Sequence, residues 1–145
     1  MKDLILLHAA LGNKDQVRPL GNLLAKDFVV HYLDFEGHSL DSNSIHPFSI
    51  SRFSDQLKEF IELNSLENPH VFGYSLGGYV AIFNAFSYTS MLGEIACYAT
   101  RWDWNPDFSA KEARKMDPDF LENRVPDFAS LLKEKFGLNY WRTVV

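Results

Sequence analysis

Apolar positions along the chain fall into two alternating patterns. Leu4 to Ala9 (LILLHA) is a short unbroken apolar run, which predicts a strand buried on both faces. After the loop LGNKD, Val17, Leu20, Leu23 and Leu24 recur at helical spacing, with Asn13 or Asp15 placed as N-cap. Phe28 to Phe35 (FVVHYLDF) predicts a second strand, and the polar stretch EGHSLDSNSIHPFS a long loop. Ser49 or Ser51 can cap a helix whose apolar stripe is Phe53, Leu57, Phe60 and Ile61. HVFGYS predicts a third strand. Leu76 to Phe86 follows as a helix with Tyr79, Val80, Phe83 and Phe86 on one side, and Gly93 to Thr100 (GEIACYAT) is a fourth strand.

Strands alternating with helices predict an α/β fold: a parallel sheet of about four strands with flanking helices, joined by right-handed crossovers. Ligands of such sheets bind beyond the carboxyl ends of the strands. Three unusual turns fall at those ends: HAALG, DFEGHS and GYSLGG. After Trp104 the pattern changes. NPDFSAKEARKM, DPDFLENR and VPDFASLLKEKFG each set a proline at or near a first helical turn, where its missing N–H leaves no gap. Asn105 and Asp117 precede prolines as caps, and Gly137 stands where a helix ends. The expected organisation is a core over 1–104 and the start of a helical cap over 105–145. That cap reads equally as a lid and as plain cover for the sheet.

Composition narrows the classes. The 145 residues suit one domain, and 46% apolar with 23% charged residues is ordinary for a globular chain. A net charge of -5 with interspersed signs argues against nucleic acid as a partner, since phosphate binding needs a basic stripe. Cys97 is the only cysteine, so no internal disulfide forms and no thiolate cluster is available for a metal; its apolar surroundings predict a buried thiol. No apolar run approaches the ~20 residues of a membrane span. Asp3 and the lack of an A-x-A site count against a secretory signal, so the cytoplasm is the expected compartment. Neither metal nor cofactor is expected.

The sharpest chemical signal is GYSLGG, a G-x-S-x-G with Gly73, Ser75 and Gly77. A strand that turns sharply into a helix strains the serine backbone and crowds its neighbours, which is why glycine is needed on both sides. The hydroxyl is then raised at a helix N-terminus, where free N–H groups favour a developing anion. Ser75 is therefore the expected nucleophile. An acyl-transfer site also needs an oxyanion hole, worth about 2.7–4 kcal/mol per donor. The expected donors are the N–H groups of Leu76 and of Ala10 in HAALG.

With these motifs together, the chain resembles the α/β-hydrolase family, its small bacterial esterase-like members in particular. LLHAALGN resembles the H-G-x oxyanion segment, LDFEGHS the D-x-x-G-H-G turn, VFGYSLGGYVA the nucleophile elbow, and CYATRWDWNP the junction between strand and cap. Ala9 departs from the usual glycine, which is tolerated provided that residue needs no positive φ. The resemblance implies hydrolysis of a carboxylic ester or similar small acyl substrate by Ser75.

It also exposes a gap. The family order is serine, then acid, then histidine, whereas His8, His31, His38, His46 and His70 all precede Ser75. Asp103 could serve as an acid in a variant triad or as a helix cap. The expectation is a hydrolase lacking the C-terminal acid and histidine, and so inactive or very weak by itself. The alternatives are a non-catalytic binding module of the same fold, and a half-enzyme completed by another chain. Phe35, Trp102 and Trp104 suggest either an apolar pocket or core packing. By resemblance the strands lie in the order second, first, third, fourth. The free edge of the fourth, with the apolar end Tyr140 to Val145, predicts self-association.

Overall fold

The computed structural model describes residues 1–39 and 46–145. The middle of the long polar loop expected between Glu36 and Ser49 lies outside those residues. The sheet comprises β1 (Lys2–Leu7), β2 (Phe28–Leu33), β3 (His70–Tyr74) and β4 (Ile95–Tyr98). All its pairings are parallel and its order is β2-β1-β3-β4, as expected. Leu7 aligns with Leu33 on one side and Gly73 on the other, and Tyr74 aligns with Tyr98. The carboxyl ends of the strands therefore meet along one rim.

Three helices intervene: α1 (Lys14–Leu24), α2 (Ile50–Leu63) and α3 (Leu76–Ser87). Strand side chains point alternately to the two faces, and the burial follows. Ile5, Leu7, Leu33 and Val71 pack with Phe53, Leu57 and Ile61 of α2 and with Val80 and Ala81 of α3. Leu4 and Leu6 pack on the opposite side with Val17 of α1, flanked by Tyr32, Phe72 and Tyr74. Asn84 of α3 donates to the Ser54 carbonyl of α2 at 2.9 Å and to its hydroxyl at 3.2 Å. This gives the α2–α3 contact a fixed register. Asn13 caps α1 and Ser49 caps α2, each side chain accepting an N–H of the first turn.

The remaining helices are α4 (Pro106–Lys115), α5 (Pro118–Arg124), α6 (Pro126–Phe136) and α7 (Trp141–Val144). Asn105 and Asp117 cap α4 and α5, and Gly137 ends α6 with φ +82°. Leu121, Ala129, Leu132, Phe136, Trp141 and Val144 form a small core of their own, packed against Leu11 and Phe48. Lys135 donates to the Leu11 carbonyl at 3.0 Å, tying α6 to the loop after β1.

Three details differ from the sequence pattern. On α1 the buried positions are Val17 and Gly21, and Leu23 is exposed, because the helix approaches the sheet closely through a glycine. On α3 the buried face is Gly77, Gly78, Val80, Ala81 and Asn84, while Phe86 is 89% exposed and Phe83 is exposed as well. That helix is apolar nearly all round, so its periodicity does not select a face; close packing of its small residues does. A Cβ on Gly77 would lie 2.6 Å from Leu7 Cβ. Finally, Cys97 is exposed rather than buried. β4 is shorter than expected and stands at the edge of the sheet, so among the described residues nothing covers its outer side.

Candidate active site

The junction of β3 and α3 is a strained turn. Ser75 has φ 51° and ψ -109°, a conformation that a non-glycine residue adopts only at a cost of about 1–3 kcal/mol. Its neighbours explain how it is held. A Cβ on Gly73 would strike the backbone of Gly77 and Gly78, and one on Gly77 would strike Leu7 of β1. The Ser75 N–H donates to the Tyr98 carbonyl at 2.8 Å, and the Ser75 carbonyl accepts the Thr100 hydroxyl at 3.0 Å. Sequence reasoning missed two participants here, Thr100 and Gly78. A Cβ on Gly78 would collide with the Thr100 hydroxyl, so the second glycine of the pair makes room for it. The doubled glycine in GYSLGG was a signal for this close approach.

The loop after β1 forms the other wall. Ala9 is absent from the residues with positive φ, so alanine fits where the family usually has glycine; Leu11 takes the left-handed conformation instead, with φ 58°. The Ala9 carbonyl accepts the N–H of Gly12 at 3.0 Å and lies 2.8 Å from His8 Nδ1. The Ala9 N–H donates to the Gln16 side chain at 2.8 Å. This loop is held from several sides, which fixes the orientation of the next peptide and its Ala10 N–H.

A cavity of about 440 Å³ opens between these two elements, lined by Ala10, Ile50, Ser75, Leu76, Tyr79, Thr100, Arg101 and Trp104. Ser75, Ala10 and Leu76 all line this cavity. Of the aromatic residues singled out from the sequence, Trp104 lines the cavity. Phe35 is fully buried in the core beneath His8, and Trp102 stacks on Tyr79 with ring centroids 5.8 Å apart. Arg101 is the charged residue of the lining, and Asp103 engages it through two contacts at 2.8 and 2.9 Å. That pairing holds the Asp103 carboxyl below the usual range. The cap of α4 is Asn105, and Asp103 serves Arg101 instead.

None of the five histidines lines this cavity. His8 is fully buried, and its Nε2 accepts the Phe35 N–H at 3.1 Å, leaving Nδ1–H to the Ala9 carbonyl. Burial lowers its pKa to about 3. His38 is also buried, lowered in pKa by that burial, and enclosed by Phe35, Phe48, Phe53 and Phe136. His31 lies on β2, 2.7 Å from Asp3 of β1. His46 lies 3.0 Å from Glu36. His70, at the opposite end of β3, accepts the Glu94 N–H.

Ser75 thus sits in a strained turn between a strand and a helix and lines one cavity with Ala10 and Leu76. The chain belongs to the family described as the alpha/beta hydrolase fold, which matches residues 3–143. It is 32% identical over 100 residues to a protein of Saccharomyces cerevisiae described as "Probable alcohol acetyltransferase", covering 65% of this chain and 29% of that one. Among solved structures it superposes on a marine microorganism esterase with a TM-score of 0.66 at 20% identity, covering 99% of this chain and 57% of the esterase. It superposes on 1H-3-hydroxy-4-oxoquinoline 2,4-dioxygenase with a TM-score of 0.76 at 19% identity, covering 99% and 61%. The chain spans about three tenths of the length of that curated relative and some three fifths of these structures. The last neighbour's name denotes a different reaction, so the likeness defines a fold and leaves the chemistry to the site. No helix among the described residues is long and apolar enough to cross a membrane.

Proposed function

We propose that the cavity at Ser75 is an acyl-transfer site for small carboxylic esters, with Ser75 as nucleophile and the Ala10 and Leu76 N–H groups as oxyanion donors. The observation that carries this reading is the strained backbone of Ser75 at the mouth of an apolar cavity. Strain of that kind persists only where surrounding contacts over-determine it, and it concentrates at functional turns. The tetrahedral adduct would place its oxygen between a loop N–H and the first N–H of α3, where the helix dipole adds to both. The cavity suits an uncharged acyl group, since the one cationic side chain among its described lining residues, Arg101, is already matched by Asp103.

On this reading the general base lies outside the five histidines, none of which lines the cavity. A histidine from a further segment or from a second polypeptide would complete the site. A serine lacking its partners keeps only what binding and the oxyanion hole supply, a loss of up to about 10⁶ in kcat. The acceptor of the acyl group is either water, as in the esterase neighbour, or an alcohol, as the name of the yeast relative indicates.

That no histidine is among the described residues lining the cavity favours a second reading: a non-catalytic module that binds a small acyl ligand. The two are separated by incubating the purified chain with p-nitrophenyl acetate. Slow acetylation of Ser75, detected by peptide mass spectrometry and absent from Ser75→Ala, supports the acyl-transfer site. Fast turnover abolished by Ser75→Ala would reveal a base within the chain. Equal, unspecific labelling of both proteins would leave the binding module.

A further inference from the structure

Thr100 stands two residues beyond the end of β4, and its hydroxyl donates to the Ser75 carbonyl at 3.0 Å. That carbonyl also receives the first-turn N–H groups of Gly78 at 3.1 Å and Tyr79 at 3.3 Å. The chain makes costly arrangements for the contact. Ala99, immediately before Thr100, takes φ 53° although it is not glycine, and Gly78 vacates the space that the hydroxyl occupies.

A peptide unit is planar and trans, so the Ser75 carbonyl and the Leu76 N–H are opposite ends of one rigid group. Whatever fixes the carbonyl aims the N–H. A hydrogen bond accepted by the carbonyl also polarises the amide and strengthens its N–H as a donor, by roughly 10–30% per bond. The Ala9–Ala10 peptide across the cavity is restrained in the same sense, its carbonyl held by His8 and Gly12.

We propose that Thr100 is a positioning residue for acyl transfer: its hydroxyl orients and polarises the Ser75–Leu76 peptide, so that the Leu76 N–H is a pre-aimed oxyanion donor. The proposal rests on the reading of Ser75 as nucleophile; Thr100 also lines the cavity, and the dependence on ester concentration separates positioning from substrate contact. Tyr98 completes the restraint by accepting the Ser75 N–H, so both main-chain groups of the serine are held by the end of β4.

The test compares wild type, Thr100→Val, which keeps the shape and loses the hydroxyl, and Thr100→Ser, which restores it. Two readouts are taken on the full chain. The first is the rate of Ser75 acetylation by p-nitrophenyl acetate as a function of ester concentration. Outright loss of an oxyanion donor costs about 10²–10³ in rate. A donor retained but no longer aimed should cost less, about 5- to 10-fold. That loss is expected in the limiting rate, with the half-saturating ester concentration unchanged, and Thr100→Ser should recover it. The second readout is the Ser75 carbonyl carbon resonance, expected to move upfield in Thr100→Val and to return in Thr100→Ser.

Wild-type acetylation rates in Thr100→Val, or an unmoved carbonyl resonance, would overturn the proposal. Labelling of wild type no greater than that of Ser75→Ala would overturn the nucleophile reading and with it the catalytic role of the hydroxyl. The carbonyl resonance distinguishes that failure from a failure of the restraint itself.

Discussion

His8 Nε2, at the end of β1, accepts the backbone N–H of Phe35, just beyond the end of β2, at 3.1 Å. The bond requires a lone pair on that nitrogen, so the imidazole is neutral. Burial is the largest cause of its lowered pKa, with the positive charge of Lys135 and the neighbouring His38 acting in the same direction. Asp34 lies 4.0 Å from Nε2, close enough to suggest an ion pair. Nε2 already accepts the Phe35 N–H, however, and the aspartate accepts the Lys14 N–H. The buried neutral form therefore prevails.

This arrangement sets a pH dependence. Above the ordinary histidine value of 6.5, folded and unfolded forms are both neutral and the residue contributes no slope. As pH falls from 6.5 toward about 3, the unfolded chain binds a proton that the folded chain refuses, and stability is lost. The slope from His8 reaches at most about 1.4 kcal/mol per pH unit. Urea unfolding at pH 7 and pH 5 is the measurement. His8→Asn is expected to be less stable at pH 7 but to lose less between the two values. An unchanged difference would show that His8 is protonated in the folded state or exposed.

Ser75 holds a strained backbone conformation with φ 51°. Replacing it with glycine removes the penalty of a side chain at φ 51°, set against the greater freedom of glycine in the unfolded chain. Ser75→Gly should therefore stabilise the protein by about 1 kcal/mol while removing the hydroxyl. A functional residue is expected to show this opposition between stability and activity. Thermal unfolding decides it; a clear loss of stability would mean that the turn is relaxed with serine in place.

β4 pairs with β3 alone, and Ala96, Cys97 and Tyr98 are exposed along it. α3, packed beside it, exposes Ile82, Phe83 and Phe86. A strand edge with little charge is a template for another strand. The purified chain is expected to self-associate at micromolar concentration in sedimentation, and Ala96→Lys to shift it toward monomer by placing a charge on the edge. A wild-type chain that sediments as a monomer throughout that range would remove the prediction. The exposed Cys97 thiol gives an independent reading, since self-association through β4 should slow its alkylation.

The order of elements, the parallel sheet, the caps at Asn105 and Asp117, and the turn at Ser75 were legible in the sequence, while the caps of α1 and α2 were narrowed to two candidates each, of which the structure uses Asn13 and Ser49. Each depends on neighbours a few residues away: an apolar run between breakers, an oxygen side chain before a helix, glycine where a backbone must bend. Contacts across the sheet were not legible. The burial of α3 through its small residues, the exposure of Cys97 at an edge, and the engagement of the histidines depend on which strand or helix lies alongside. The bond from Thr100 to Ser75 spans 25 positions of sequence and exists because parallel pairing of β3 and β4 brings their carboxyl ends to one rim. Local pattern determined what each segment would become, while packing between distant segments decided which side chains meet at the cavity.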